Sequence, residues 1–258
     1  MKNSILFVII ATCLSSCSTT IDFKSAGNRF HTPESSGDTL NGKIQFGFGK
    51  AHKYETATLY ADSIFSSSVT KNTEGRIVDS KAITYDLFVG VIEELDIYTR
   101  ATEDSAGILG VKYQFYGKGT DKGHRGAIMA GYGSAEDSES SQRVSNETSQ
   151  RLYKADLEVD AWEVELLYGY RFNDNIQIYT NLNYASFDTK TTLQSESFDT
   201  EIIKAKVKTM GLLFGADLRS DNKRTGYIFE SGVVRSEWEN LYDDTEIMLG
   251  LNFYWNWH

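Results

Sequence analysis

Hydrophobic and polar residues alternate along most of this chain, and that period of two limits the possible folds more than any other feature. From Trp162 to Tyr170, every second residue is tryptophan, valine, leucine or tyrosine. Successive side chains of a β-strand point to opposite faces, so this alternation predicts strands with one apolar face, whereas an amphipathic helix would repeat about every 3.6 residues. The clearest segments of this kind are residues 83–91, 109–115, 162–170, 176–184 and 247–257.

Weaker alternation in further segments brings the expected number of strands to about ten. These weaker segments are residues 43–54, 95–102, 125–133, 203–218 and 225–234. A tilted strand of about ten residues is long enough to cross the hydrocarbon layer of a membrane. We therefore predict an all-β fold, a single antiparallel up-and-down transmembrane β-barrel. The short link at residues 103–105 leaves eight or twelve strands open as alternatives.

The connections between these segments alternate in length. Short links lie at residues 93–94, 117–123, 173–175 and 220–223. Long polar stretches, which we expect to be loops, cover residues 55–81, 134–154, 188–201 and 236–244. Membrane barrels have short turns on the periplasmic side and longer loops on the outer side. The alternation of connection lengths therefore favours a membrane barrel over a sandwich with one face in water.

The other face of the strands carries charged groups of both signs, which could pair across a narrow lumen and so avoid unpaired burial. The charges assigned to this lumen network are Asp86, Arg100, Lys112, Glu163, Glu165, Arg171, Glu230 and Glu246. Aromatic rings collect near the short links, as they do at a membrane–water boundary. The expected aromatic belt is Tyr113, Phe115, Tyr168, Tyr170, Tyr227, Trp255 and Trp257.

Composition excludes several other classes of protein. The mean hydropathy is −0.38, and no run of about 18 apolar residues occurs, which excludes an ordinary helical membrane protein. The formal net charge of −10 argues against a nucleic-acid partner, because binding phosphates requires surplus lysine and arginine. Two cysteines exclude a disulfide-stapled scaffold. The single proline, Pro33, lies outside every expected strand, which suits a sheet that uses all its N–H donors.

The N-terminus carries an export signal. Residues 1–16 have a basic start and a short apolar stretch, typical of a cleaved secretory signal. Leu14-Ser15-Ser16-Cys17 resembles the lipobox of bacterial lipoproteins, which implies that Cys17 is acylated and becomes the first mature residue. In that family, serine rather than aspartate after the cysteine implies sorting to the outer membrane. The polar residues 17–41 predict a flexible tether that leaves the lipid in the periplasmic leaflet, with both chain ends in the periplasm.

Residues 42–258 resemble the small outer-membrane β-barrels of the OmpA and OmpX class, within the porin-like superfamily. Gly250-Leu251-Asn252-Phe253-Tyr254-Trp255 resembles the terminal signal that the barrel-assembly machinery reads. The resemblance implies a bacterial outer-membrane location and a monomer in contact with outer-membrane lipid and lipopolysaccharide. It also implies the assembly machinery as a partner during insertion.

The residues that carry chemistry are sparse. The four histidines are His31, His52, His124 and His258, and none sits in a local catalytic pattern of the kind seen in outer-membrane deacylases or omptin proteases. No histidine pair has ligand spacing, and the mature chain would keep one blocked cysteine. We therefore expect no catalytic residue, no metal site and no cofactor, and we expect that the protein is not an enzyme.

Two charged patterns remain. Acidic residues at 136–139 and at Asp243-Asp244 could hold Ca²⁺ or bridge cations to lipopolysaccharide, but their pattern favours solvated loops kept soluble by charge. Lysines 204, 206 and 208 form a basic stripe on one strand face that could touch anionic headgroups.

These observations predict a structural or surface-interaction role, or a narrow and largely plugged pore. The alternative is a lipid-tethered periplasmic barrel of the lipocalin type, with its apolar face turned inward around an apolar ligand. An outer-membrane enzyme is the third possibility. Whether the apolar faces of the strands point outward or inward distinguishes the first two hypotheses.

Overall fold

The computed structural model describes residues 18–61, 68–117, 122–145, 148–239 and 242–257. Every regular element in these ranges is a β-strand, and no helix among them is long and apolar enough to cross a membrane. The strands are β1 Ser18–Ala26, β2 Gly42–Ala61, β3 Val69–Asn72, β4 Arg76–Ile92, β5 Leu95–Thr102, β6 Gly107–Tyr116, β7 Gly123–Ser145, β8 Thr148–Arg171, β9 Ile176–Ser195, β10 Phe198–Arg219, β11 Thr225–Trp238 and β12 Tyr242–Trp257. The signal at residues 1–16, the lipobox cysteine Cys17 and His258 lie outside the described residues.

Ten of the twelve strands close into a ring. Antiparallel neighbours run in sequence from β4 to β12, and β2 pairs with both ends of that series. Residues 42–49 of β2 pair on one side with residues 250–257 of β12 and on the other with residues 82–89 of β4. Closure gives every strand two partners, as a sheet in hydrocarbon requires. The predicted all-β, ten-stranded, up-and-down barrel is therefore confirmed, and the ring has neither eight nor twelve strands.

One stretch of the barrel wall is apolar outside and charged inside. In β8, Trp162 and Leu166 are exposed on the outer surface, and Glu163 between them is buried in the lumen. The same facing recurs around the ring, and we call the exposed set the apolar belt. Its outward residues include Phe46, Phe48, Ile83, Tyr85, Leu109, Val111, Ile128, Ile178, Leu182, Leu212, Phe214, Phe229, Leu249, Leu251 and Phe253. An apolar surface of this extent marks contact with a membrane, so the lipocalin-like facing is wrong for the belt.

Beyond the belt the polarity of the two faces is exchanged without a break in the strands. In β8, Leu157 and Val159 are buried inside, and Glu158 between them is exposed outside. We call this part of the wall the outer barrel. It comprises residues 134–145, 148–160 and 186–208 together with the parts of β1, β2, β3, β4, β11 and β12 at the same height. Its interior core includes Phe23, Tyr54, Leu59, Val159, Phe187, Leu193, Val207 and Trp238. Water replaces lipid around the wall at this level, and the same alternation then places the apolar face inward.

The expected long polar loops are mostly strands of the outer barrel. Residues 134–145 continue β7, and residues 186–195 continue β9 before the turn to β10 at Phe198. The loop expectation at residues 134–154 and 188–201 was therefore wrong, because polar outward residues were taken for solvated loops. The short links at residues 93–94, 173–175 and 220–223 are confirmed as turns, and these three meet at the opposite end of the barrel, next to Trp257 and Gly42. Residues 118–121 of the predicted link at 117–123 lie outside the described residues.

The segment expected to be a flexible tether is ordered inside the barrel. β1 pairs with the outer half of β2, from Ser18 beside Tyr60 to Ala26 beside Ala51. The ring of Phe23 stacks on Tyr54 at 4.8 Å. Ser18 therefore lies at the outer end, opposite the short turns. The expectation that both chain ends face the periplasm is wrong, because Ser18 and Trp257 lie at opposite ends of the barrel. The lipid on Cys17 and its leaflet stay predictions, because Cys17 lies outside the described residues.

The exchange of polarity along β8 predicts that an arginine introduced on the outward face destabilises the barrel far more in the apolar belt than in the outer barrel. In Leu166→Arg a charge enters the middle of the apolar belt, and we expect a loss of about 2–4 kcal/mol in the free energy of folding into lipid vesicles. The control Glu158→Arg lies on the same face of β8 in the outer barrel. It loses only an exposed pair with Lys190, so the expected change is below about 1 kcal/mol.

Urea titration of both variants in vesicles measures these costs. Equal losses in the two variants would contradict the placement of the membrane boundary between Leu166 and Glu158 on β8.

Candidate functional site

Residues 27–36 run through the lumen from the end of β1 toward the short turns, and we call them the lumen segment. Phe30 and His31 are 1% and 0% exposed, and Thr32 and Glu34 are also buried. The segment carries charges of both signs, at Arg29 and Glu34. It meets the inward charges of the strands at three levels, which are described from the short-turn end outward.

At the level nearest the short turns, Glu34 is held by three arginines. Nε of Arg125 lies 2.7 Å from one carboxylate oxygen, and Nη2 of Arg171 and of Arg219 lie 2.8 and 2.7 Å from the other. These arginines come from β7, β8 and β10. Asp217 accepts a further hydrogen bond from Arg171 at 3.0 Å. The carboxylate of Glu34 therefore neutralises charge that the strands leave in excess.

Backbone contacts hold the segment at the same end. The N–H of Ser35 donates to Oε1 of Gln114 at 2.8 Å, and the N–H of Ser36 donates to the carboxylate of Asp96 at 3.0 Å. Lys112 donates to the carbonyl of Glu34 and lies 3.8 Å from Asp96. The backbone N–H groups of Ser35 and Ser36 are thus paired with strand side chains where the segment is half-buried.

In the middle of the lumen the excess charge is negative. Glu165 lies 2.9 Å from Nδ1 of His31, and Asp86 lies 3.5 Å from Nε2 of the same ring. Arg100 bridges the carboxylates, at 3.0 Å from Asp86 and 3.2 Å from Glu163. His31 therefore lies between carboxylates that would otherwise repel each other.

The third level binds both the side chain and the backbone of the segment. Arg29 pairs with Glu163 at 2.7 Å. The carboxylate of Glu230 accepts the backbone N–H of Arg29 at 2.7 Å and that of Phe30 at 3.1 Å, and it also accepts the hydroxyl of Tyr179 at 3.0 Å. A carboxylate that receives several N–H and O–H donors is well stabilised without solvent.

The lumen at these levels is filled. A cavity beside Arg29, Arg100 and Glu163 measures about 20 Å³, which leaves room for about one water molecule. A ten-stranded ring is only slightly wider than the eight-stranded barrels whose interiors side chains fill. The segment and the inward side chains together therefore close the bore.

Seven of the eight charges assigned to the lumen network meet at this site, and each of the seven contacts the lumen segment. They are Asp86, Arg100, Lys112, Glu163, Glu165, Arg171 and Glu230. Glu246 lies apart, above the belt, where burial and then the neighbouring Asp79 raise its pKa to about 7.

Sequence reasoning missed the partners contributed by the segment and three partners on the strands. Arg29, His31 and Glu34 were assigned to the tether, where charge has no assigned purpose. Arg125, Asp217 and Arg219 also escaped, although Asp217 has the same inward parity as Gly215 and Leu213 on β10. The sequence signal that could have identified these three strand residues was a charged side chain at an inward-facing position next to a short turn.

The residues assigned to the aromatic belt lie on the outer surface near the short turns, as expected for rings at a membrane–water boundary. Six of them are exposed: Tyr113, Phe115, Tyr168, Tyr170, Tyr227 and Trp255. Trp257 is half-buried, and its indole N–H donates to the carbonyl of Leu40 at 3.0 Å. It therefore also closes the turn between the lumen segment and β2.

A second concave site opens in the outer barrel between β1 and the β7–β8 hairpin. It encloses about 430 Å³, with Ile21, Leu157 and Val159 among its apolar lining and the acidic residues at 136, 137 and 139 beside them. Burial raises the pKa of Asp22 in its wall, even though Lys53 lies 2.9 Å away. The cleft can accept an apolar group next to a positive charge.

A closed ring with an apolar exterior and a charged interior is the architecture of outer-membrane β-barrels, the class that the sequence resembles. No family model matches the sequence, and no curated protein matches it.

Among solved structures, the chain is similar to the attachment invasion locus protein Ail of Yersinia pestis, with 12% identity and a TM-score of 0.33, over 84% of this chain and 99% of Ail. It is similar to the outer-membrane protease OmpT from Escherichia coli, with 11% identity and a TM-score of 0.35, over 94% and 96% of the two chains. The copper transporter OprC matches at 9% identity and a TM-score of 0.34, over 84% of this chain and 42% of OprC. Identities and TM-scores this low do not transfer an activity to this chain.

Removing the charge of Glu34 tests how much the lumen segment stabilises the barrel. Glu34→Gln leaves buried guanidinium groups without their carboxylate, and we expect a loss of about 3–5 kcal/mol in the free energy of unfolding. The control Asp188→Asn removes an equal charge from an exposed pair with Lys206, where the expected loss is below about 1 kcal/mol.

The measurement is the temperature at which an unboiled sample changes mobility on a denaturing gel, combined with urea unfolding in lipid. A Glu34→Gln protein as stable as Asp188→Asn would show that the segment is not held by these ion pairs.

Proposed function

We propose that this protein is an outer-membrane barrel closed by its own N-terminal segment, with a structural and surface-presenting role instead of a standing pore. The observation that supports the proposal is the pairing of Arg29, His31 and Glu34 with inward charges of the strands. Solutes that cross a barrel need a continuous wet path, and among the described residues the paired buried side chains lie across the axis of this narrow ring.

The same proposal assigns partners to the surfaces. Outer-membrane lipid surrounds the apolar belt, and lipopolysaccharide meets the lysine stripe at 204–208 above it. The barrel-assembly machinery reads the terminal residues 250–255 during insertion. The folded protein acts as a monomer, because β2 pairs with both β12 and β4 within the belt and leaves no open edge there for a second copy.

Conductance in a planar lipid bilayer tests the closed lumen. The wild-type protein should give no current steps, because its bore is filled. A double variant, Arg29→Gln with Glu34→Gln, weakens both ends of the lumen segment and should give intermittent steps. The exposed variant Asp188→Asn should stay silent. Steady ohmic steps from the wild-type protein would contradict the proposal.

Ligand binding at the outer mouth is a second candidate function, and the 430 Å³ cleft is the observation that favours it. Its apolar floor and acidic rim suit a small apolar molecule with a cationic group. Phenethylamine is a suitable probe, and saturation-transfer NMR with the protein in nanodiscs should detect its binding.

Ala155→Trp, which fills the cleft from β8, should abolish this signal. Glu158→Trp on the outward face of the same strand should keep it. Identical signals from the two variants would show that phenethylamine binds elsewhere.

A further inference from the structure

The ring has a seam in the outer barrel, where β2 and β12 separate. Their backbone pairing ends at Gly49 opposite Gly250, and above that point β1 takes the place of β12 beside β2. β12 continues outward with β11 as its neighbour. Side chains from β2 and β4 therefore face side chains from β12 across a gap that no backbone ladder spans.

Three carboxylates meet in this gap. Asp79 comes from β4, where it pairs in register with His52 of β2, and Asp244 and Glu246 come from β12. One oxygen of each carboxylate lies within 4.8 Å of the others. Like charges this close repel each other unless a cation or a shared proton lies between them.

A buried histidine borders the same cluster at Glu246. His52 is 1% exposed, and its Nε2 has no hydrogen-bond partner. That nitrogen lies 3.4 Å from Oε2 of Glu246, which also has no hydrogen-bond partner. Buried polar atoms without partners are rare in folded proteins, and each one needs an explanation.

The other side of the imidazole is fixed by a hydrogen-bond chain. Nδ1 of His52 lies 2.7 Å from the hydroxyl of Ser236, which lies 2.8 Å from the hydroxyl of Tyr54. A proton on Nδ1 that is donated to Ser236 leaves the lone pair of Nε2 directed at the carboxylates. Metal-binding histidines are oriented in this way, with the second nitrogen donating to a neighbouring group.

We propose that the seam binds one divalent transition-metal ion through Nε2 of His52 and the carboxylates of Asp79, Asp244 and Glu246. One nitrogen and three oxygens suit Zn²⁺ or Mn²⁺, whereas Ca²⁺ and Mg²⁺ favour oxygen ligands alone.

The geometry requires only small movements of the ligands. Bonds of about 2.0–2.2 Å to a tetrahedral ion place neighbouring ligand atoms about 3.3 Å apart. The distance of 3.4 Å between His52 and Glu246 already meets this requirement. The carboxylate oxygens within 4.8 Å can reach it by rotation of their side chains.

The ion would link β12 to β2 and β4 where the ladder is missing. It would neutralise the three carboxylates and give both unpartnered atoms a ligand bond. The site is separate from the lumen segment, so it would stabilise the outer barrel without changing how the bore is closed.

Zn²⁺ binding to the purified full chain in detergent tests the site. After treatment with a chelator, competition with a fluorescent zinc indicator should give one Zn²⁺ per chain. The variants His52→Gln, Asp244→Asn and Glu246→Gln should each weaken binding by more than tenfold. The control Asp243→Asn removes the same charge from the adjacent residue, whose carboxylate pairs with Arg235 at 2.7 Å, and should leave the affinity unchanged.

Two further readouts separate a metal site from an ordinary cluster of polar groups. Ser236→Ala keeps all four ligands but removes the hydroxyl that orients the imidazole of His52, and loss of such an orienting hydrogen bond should weaken binding about 10–100-fold. Co²⁺ in place of Zn²⁺ should give the intense visible bands of a four-coordinate site, and His52→Gln should alter them. The proposal is overturned if no stoichiometric binding occurs, or if His52→Gln binds Zn²⁺ as tightly as Asp243→Asn does.

Discussion

The pairing of charges buried in the lumen is the constraint on which the rest of this structure depends. The strands by themselves leave surplus positive charge beside the short turns, at Arg125, Arg171 and Arg219, and surplus negative charge deeper in the bore. An ionised group without a partner is costly in such a place. Glu34 and Arg29 carry the matching charges at the matching heights, so the N-terminal segment completes the interior of the barrel.

The wall itself is one continuous pattern placed in two surroundings. Alternation along β8 keeps its phase from Tyr153 to Arg171, but the buried face changes from apolar to charged where the outer face changes from charged to apolar. The order of residues along a strand determines only which side chains share a face. The medium on each side decides which face must be apolar, and here lipid surrounds the belt and water surrounds the outer barrel.

The N-terminal chain also changes how the ring is built. Because β1 occupies the edge of β2 above Gly49, β12 loses its neighbour there, and the outer barrel acquires a seam. Backbone pairing can be interrupted at this height because water and side chains, unlike lipid, can satisfy polar groups. The seam brings His52 next to Glu246, although these residues are far apart in the chain. The closed bore and the cluster of His52 and carboxylates in the seam thus both result from the position of the N-terminal chain.

The strand positions, the closed all-β barrel, the outward aromatic residues and the inward facing of Glu163 or Arg171 were available from the sequence, because side-chain direction in a strand follows from local geometry with a period of two. The threading of residues 18–36 was decided only by the tertiary structure. A polar segment rich in serine and glycine has the same composition whether it is solvated or lies in a charged bore. The three arginines that contact the carboxylate of Glu34 are 91 to 185 residues away along the chain. Only closure of the ring brings those charges to one height, and the attraction between them then orders the segment.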